Sequence, residues 1–451
     1  MSLREFLEMM ESKREVLHIT DQVSPCFEIS AVLQAFAHEP ILLFENAEGF
    51  DTHVVGNICG TRKRLCSALG VDQENLYYKM IDAWRSPKPP KVVEDAPVKE
   101  VTESLNLLRI PVLTHFEKDA GAYITSGVVS ARSPDGTIEN VSVHRLLVLD
   151  ETHLAIRLVP RHLFALWKMA KEEKRDLDVA IAIGVHPAVL LAAASSPPFG
   201  VSEYGIANVL LDGNLRLVKC ESIDAYIPAD AELVLEGRIS CEKERDEGPL
   251  VDIIGTYDIQ RKQPIIEVVN IMRRENYIYQ AILPGGPEHR LLMGMPKEMM
   301  IYEAVSKVVP RVKAVNLTEG GCGWLHAVVS IEKQTDGDAK NALLATFAAH
   351  SSLKHAIVVD TDIDIYNPSD VEWAFATRFQ GDEDLIIIRN ARGSTLDPSA
   401  DQEGGLTTKM GLDATKPLSK PCEAFEKANL IESQRVKSIL ERYGKRTRSR
   451  L

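Results

Sequence analysis

Tyr123-Ile124-Thr125-Ser126-Gly127-Val128-Val129-Ser130-Ala131-Arg132 and Ile138-Glu139-Asn140-Val141-Ser142-Val143-His144-Arg145-Leu146-Leu147-Val148-Leu149 decide how the middle of this chain is built. Apolar residues recur along both runs, and Ser133-Pro134-Asp135-Gly136 between them is a turn sequence, so two antiparallel strands are expected. His153–Val159 predicts a third strand and Arg161–Lys174 a helix. Val179–Val185 reads as a buried strand, after which Pro187 opens a small Ala-rich helix. Leu215–Cys220, Glu232–Ile239 and Ile265–Ile271 add strands. Antiparallel strands in succession, with helices between them, point to a barrel or a curled sheet.

The flanks read differently. Toward the N-terminus, Ser2 and Glu5 form a capping box ahead of Leu3, Phe6, Leu7 and Met10. Strand-like Ile41–Phe44 and Val54–Ile58 then alternate with helix-like Ile29–Ala37 and Asp72–Trp84, a mixed α/β order. Arg85–Val101 carries Pro87, Pro89, Pro90 and Pro97 among charges and reads as a linker. Toward the C-terminus, Glu298–Val308, Ala339–His350 and Pro368–Phe379 are helical. Ala314–Leu317, Ala327–Ile331, Ile357–Asp360 and Leu385–Ile388 are strands, a βαβ pattern with a parallel-leaning sheet. Arg392–Pro417, rich in Gly, Ser, Thr and Asp, reads as a long loop, and Cys422–Arg442 as a final amphipathic helix. The expected division is residues 1–100, 101–295 and 296–451.

Composition excludes several function classes. The chain has 451 residues and a net charge of 52 − 65 = −13, which repels phosphate backbones, so no nucleic-acid partner is expected. The basic tail from Arg442 reads as a solvated or docked terminus. Seven cysteines without a CxxC fit free thiols in a reducing compartment. The longest apolar run, Val179–Ala194, is too short and interrupted to span a bilayer. With no signal-peptide pattern at Met1–Arg14, a cytoplasmic location and no membrane partner are expected.

Several clusters can carry chemistry. Asn140, His162 and Glu221 together offer ligands for a hard or borderline divalent cation such as Mn²⁺ or Mg²⁺. Taken singly, Glu221 reads as a surface or salt-bridged residue and His162 as an ordinary helix-start histidine. Glu247 and Asp252 flank an extended turn at Gly248-Pro249. Paired acids near an arginine can hold different pKa values and trade a proton. Asp360, Asp362 and Asp364 allow a second metal but read first as a strand end and helix cap. Gly320-Gly321-Cys322-Gly323 does not lead a strand into a helix, so dinucleotide binding is not expected.

Taken in order, Glu139–Arg145, Leu217–Glu221 and Glu247-Gly248-Pro249 with Asp252 resemble the UbiD family of decarboxylases, which use prenylated FMN. The resemblance covers nearly the whole chain. It implies an N-terminal α/β domain, a split-barrel flavin domain and a C-terminal α/β domain that dimerises, hence a homodimer or larger homo-oligomer. It implies Asn140, His162 and Glu221 as Mn²⁺ (or Mg²⁺) ligands, with K⁺ nearby. Val143, His144, Arg145, Arg157, Leu158, Val159, Arg161 and His162 are implied flavin contacts, and Arg145, Glu247 and Asp252 the catalytic set. It also implies that a separate flavin prenyltransferase supplies the cofactor. The segments 283–290, 362–366, 390–394, 396–400 and 408–411 are most similar to the archaeal anhydromevalonate phosphate decarboxylases. Removal of CO₂ from trans-anhydromevalonate 5-phosphate, giving isopentenyl phosphate for isoprenoid synthesis, is therefore the expected reaction. His289, Arg290, Arg392 and Lys409 are the expected candidates for holding that substrate's phosphate. The alternatives are a family member acting on an aromatic or heteroaromatic carboxylate, or a non-catalytic flavin-binding subunit of a carboxylase complex.

Overall fold

The computed structural model describes residues 1–428 and 433–447, so residues 448–451 of the basic tail lie outside the described residues. Its centre is a closed antiparallel barrel of six strands, Tyr123–Arg132, Glu139–Val148, His153–Ile156, Leu177–Ile183, Leu233–Glu247 and Arg261–Arg273. The ring runs fifth, fourth, first, second, third, sixth, and the long fifth and sixth strands pair to close it. The barrel is the one that the alternation predicts. The first hairpin turns at Ser133–Gly136, where Gly136 takes φ +71° and Asp135 accepts a hydrogen bond from the Thr137 amide at 3.1 Å. Val129, Ile181, Leu235 and Ile266 fill one apolar cluster with Leu163 and Leu166 of the helix His162–Glu172. Each such side chain stabilises the fold by about 1.5–3 kcal/mol on burial. The fifth strand is longer than expected and carries the chain without interruption from this core to Glu247. Gly237 permits its bulge: a Cβ there would lie 2.8 Å from the Glu267 carbonyl oxygen.

Pairing crosses the expected boundaries. The four-stranded N-terminal sheet orders Val16–Ile19, Ile41–Phe44, His53–Gly56 and then Ile278–Gln280, a strand that follows the barrel in sequence. Within the stretch read as a linker, Lys91–Val93 lies parallel to Arg216–Lys219. Val101–Glu103 adds to the sixth barrel strand. One helix, Pro287–Val305, runs through the boundary expected at 295/296, with Pro296 inside it rather than at its start.

The N-terminal helix Leu3–Ser12, capped as its Ser2/Glu5 box predicts, is tied to the barrel by a buried ion pair. Arg4 donates from Nε and Nη2 to the two oxygens of Glu232, both at 2.8 Å, and the Glu232 side chain is fully buried. Arg4→Ala is expected to lower stability by about 2 kcal/mol in urea unfolding, short of the full cost of stranding a buried charge because Arg274 stays 3.6 Å from the carboxylate.

The C-terminal sheet orders Val312–Leu317, His326–Ile331, His355–Asp360, Leu406–Ala414 and Leu385–Arg392, with parallel pairing in the middle and antiparallel edges. Leu406–Ala414 lies inside the segment read as a loop. Among the described residues, Asp360, Asp362 and Asp364 gather no metal set. Arg378 bonds Asp360 and Asp362, at 2.8 Å each, and Lys416 reaches Asp362 at 2.9 Å. Among the described residues no helix is long and apolar enough to cross a membrane.

Candidate active site

A cavity of about 790 Å³ opens between the barrel and the helix Pro287–Val305. Two groups of polar residues define its barrel side.

The first centres on Arg145. On the neighbouring strand, Ile124 pairs with Leu146 and Gly127 with His144, which leaves Thr125 and Ser126 opposite Arg145 alone. Glu247 arrives at the end of the fifth strand and is fully buried. It takes Arg145 in a bidentate grip, Nε to Oε1 and Nη2 to Oε2, each 2.9 Å. The Tyr123 hydroxyl donates to the same Oε1 at 3.2 Å. Asp252 lies 3.5 Å from Arg145 Nη1, retains 24% side-chain exposure and lines the cavity. Its Oδ1 accepts from the Ile253 amide at 2.6 Å. Sequence reasoning missed a fourth member, Asp258, which accepts from Arg145 Nη2 at 2.9 Å and pairs with Arg261. Burial disfavours the Asp258 charge, but the hydrogen bond from Arg261 and the arginine charges hold its carboxyl below the usual range. Burial likewise opposes the Arg145 charge, and the bonds to Glu247 with the surrounding carboxylates outweigh it, raising its pKa.

The second group centres on Asn140. Ser142 donates to Asn140 Oδ1 at 3.0 Å and lies 2.9 Å from His144 Nε2, while His144 Nδ1 meets the Arg157 carbonyl at 3.1 Å. Burial pulls His144 down to about 4, so its ring is neutral at pH 7. Asn140 Nδ2 donates to Glu203 Oε1 and the Val141 amide to Glu203 Oε2, both at 3.0 Å. Glu203 stands in the first turn of the helix Glu203–Leu210, capped by Ser202. It is 2% exposed, and no cation pairs with it among the described residues. Burial pushes its carboxyl up to about 7. His162, at the start of its helix, lines the same cavity. It packs edge-on against Phe199, and among the described residues no partner bonds its ring nitrogens.

Glu221, expected beside Asn140 and His162, is elsewhere. It follows Arg216–Lys219 in a separate three-stranded sheet, stays 45% exposed and faces Lys99 at 3.6 Å. The buried carboxylate that meets Asn140 is Glu203. No cluster of three His, Cys, Asp or Glu side chains gathers for a metal among the described residues. The set on the barrel wall is instead an amide, an imidazole and one acid.

The remaining expected contacts divide. Val143, His144, Arg145, Arg157, Val159, Arg161 and His162 line the cavity, and Leu158 is buried behind them. Of the four cations expected for a substrate phosphate, only His289 lines it, with burial holding its ring below the ordinary range. Arg290 turns away to the Ile253 carbonyl at 3.2 Å. Lys409 is buried with its ammonium on the Ser351 and Leu353 carbonyls. Arg392 is exposed at the end of its strand. Lys297, which sequence reasoning did not single out, lines the wall opposite the barrel.

Known proteins resemble this chain over most of its length. The chain is 43% identical over 430 residues to the anhydromevalonate phosphate decarboxylase of Methanothermobacter thermautotrophicus, covering 95% of this chain and 100% of that protein. It is 47% identical over 416 residues to that of Methanocaldococcus jannaschii, covering 91% and 97%. Among solved structures, the UbiD-class enzyme HmfF from Pelotomaculum thermopropionicum, in complex with FMN, matches with a TM-score of 0.93 at 41% identity over 95% of this chain and 97% of its own. The apo 3,4-dihydroxybenzoic acid decarboxylase AroY of Klebsiella pneumoniae matches at 0.91 and 26% identity, over 96% and 98%. Models of the N-terminal, Rift-related and C-terminal domains of 3-octaprenyl-4-hydroxybenzoate carboxy-lyase match residues 7–84, 91–287 and 290–414 in turn. With all three domains present in order and the acid–arginine cluster facing one cavity, the chain belongs to the UbiD family.

Proposed function

We propose that this protein is a prenylated-FMN-dependent decarboxylase that converts trans-anhydromevalonate 5-phosphate to isopentenyl phosphate and CO₂, a step of isoprenoid synthesis. The observation that carries the reading is the Arg145–Glu247–Asp252 cluster opening onto the cavity. Five archaeal relatives at 42–47% identity bear the name of this activity. The intact cluster argues against a non-catalytic subunit.

Loss of CO₂ from an sp² carbon leaves an anion that needs an electron sink, and prenylated FMN supplies it. The residues present fit such a group. Among the described residues, Glu203 is a buried acid without a counter-cation and His162 an imidazole without a bonded partner. Together with Asn140 they form a donor set suited to Mn²⁺ or Mg²⁺ at a flavin phosphate, with K⁺ as the further cation expected in this family. Val143, His144, Arg157, Val159, Arg161 and His162 would hold the flavin. Glu247 has both oxygens committed to Arg145 and fixes the direction of the guanidinium. Arg145 Nη1 is then turned toward Asp252 and the substrate carboxylate. Asp252, the acid least engaged by Arg145, delivers a proton to the carbon that CO₂ leaves and regains one from solvent, to which it is partly open.

The cofactor dependence has a direct test. Protein expressed without a flavin prenyltransferase should be inactive and should gain activity on reconstitution with prenylated FMN, with CO₂ release and isopentenyl phosphate followed by mass spectrometry. Turnover with FMN alone would contradict the proposal. We also propose a homo-oligomer, which sedimentation of the holoenzyme measures.

A further inference from the structure

The barrel side of the cavity is used by the functions proposed above, but the opposite wall is not. The helix Pro287–Val305 presents His289, Met293 and Lys297 to the cavity at four-residue intervals, so all three share one face. The backbone positions of His289 and Lys297 are about 12 Å apart along the axis. The His289 end lies in the field of Asp252 and Arg145, the Lys297 end in that of Arg161.

Lys297 is a cation without an anion. Its one bonded contact is the Met300 sulfur at 3.6 Å, and no carboxylate pairs with it among the described residues. No carboxylate pairs with Arg161 either, and Arg392 adds a further positive charge to its surroundings. Burial and Arg161 pull Lys297 down to about 8. Lys409, by contrast, has two carbonyls to satisfy its ammonium. Buried charge without a partner is costly, and in a chain of net charge −13 negative partners are plentiful. Unpaired cations gathered at one end of a cavity therefore point to an anionic ligand.

We infer that Lys297 is the subsite for a phosphate monoester at the far end of the substrate, and that it sets the enzyme's preference for a phosphorylated acid. The inference rests on the decarboxylase reading of the same cavity. The flavin phosphate also belongs in this cavity, but its proposed ligands Asn140, His162 and Glu203 are on the barrel side. Lys297 shares the helix face of His289, next to the proton-delivering acid. A phosphate monoester carries close to two negative charges near neutrality, a match for a buried ammonium. An uncharged tail leaves that ammonium unpaired, which penalises an unphosphorylated acid.

The test uses FMN-loaded wild-type protein, Lys297→Met and Lys297→Arg, with isopentenyl phosphate and isopentenol as calorimetric probes. Lys297→Met should weaken isopentenyl phosphate binding by about 30-fold or more, the scale of truncating one partner of a buried charge pair. It should leave FMN content unchanged, and Lys297→Arg should recover most of the affinity. In the prenylated-FMN holoenzyme, the Met variant should raise KM for trans-anhydromevalonate 5-phosphate more than it lowers kcat. Loss of FMN from Lys297→Met would assign the lysine to the cofactor, and unchanged isopentenyl phosphate affinity would remove it from the subsite. Either result overturns the inference while wild-type turnover keeps the decarboxylase reading. A wild-type holoenzyme inert toward the phosphorylated acid but active on an aromatic one overturns both.

Discussion

Asp252→Asn is expected to retain its flavin and lose turnover by about 10²-fold or more, the usual worth of a positioned proton donor. The amide keeps the shape of the side chain and can still accept from the Ile253 amide, so the cavity should survive. Solvent deuterium, which the wild type should place in the =CH₂ group of isopentenyl phosphate, would no longer be incorporated. Glu247→Gln is predicted to fail differently. It breaks the bidentate grip on Arg145 and leaves the guanidinium free to reorient toward Asp252 and Asp258. Flavin retention and thermal stability should therefore drop along with rate. A near wild-type rate for Asp252→Asn beside a dead but fully loaded Glu247→Gln would reverse the two roles.

The second large effect belongs to Glu203. Glu203→Gln should lose most of its bound divalent metal and much of its flavin, measured by metal analysis and flavin absorbance, whereas Glu221→Gln should keep both. The two variants remove the same charge, one from beside Asn140 and one from an exposed turn facing Lys99, so the pair separates site from surface. The sign of the pH dependence follows from burial. A carboxyl pushed up to about 7 binds a proton in competition with the cation, so metal uptake should weaken as pH falls through that value and recover above it. Equal metal content in Glu203→Gln and wild type would remove Glu203 from the ligand set.

The difference between Glu203 and Glu221 shows where sequence reading stops. The barrel strands were legible because alternation and a Ser-Pro-Asp-Gly turn are local signals. Arg145, Glu247 and Asp252 were singled out as a set through the family resemblance, because two acids at a turn and an arginine on a strand look ordinary one by one; the structure brings all three together. Glu203 carries no such sign. An acid just inside a helix that opens with Ser202 is the ordinary complement of the helix dipole. Only the fold brings it to Asn140, across 63 positions. The cations failed for a related reason: Arg290, Lys409 and Lys297 belong to one charge class, and which of them faces a cavity is a matter of tertiary packing. Leu406–Ala414 is a subtler case. Leu406, Met410, Leu412 and Ala414 do alternate, but Thr407, Thr408, Gly411 and Asp413 between them resemble a loop. The strand is settled by its neighbours on both sides in the sheet.

The cavity is bounded by the barrel, by the helix Pro287–Val305 and by the C-terminal residues Trp324, Ser352, Ser394, Thr395 and Leu396. On the proposed function, the reacting groups Arg145, Glu247 and Asp252 ride on barrel strands and the turn beyond them, whose register the barrel closure locks. His289, Met293 and Lys297 ride on a helix surface, where a side chain can change without shifting any strand. Such a division lets natural variation explore new acids by exchanging His289, Met293 or Lys297 while the reacting groups stay in place. The same three positions are the economical starting point for a designer who wants this scaffold to accept a different carboxylate.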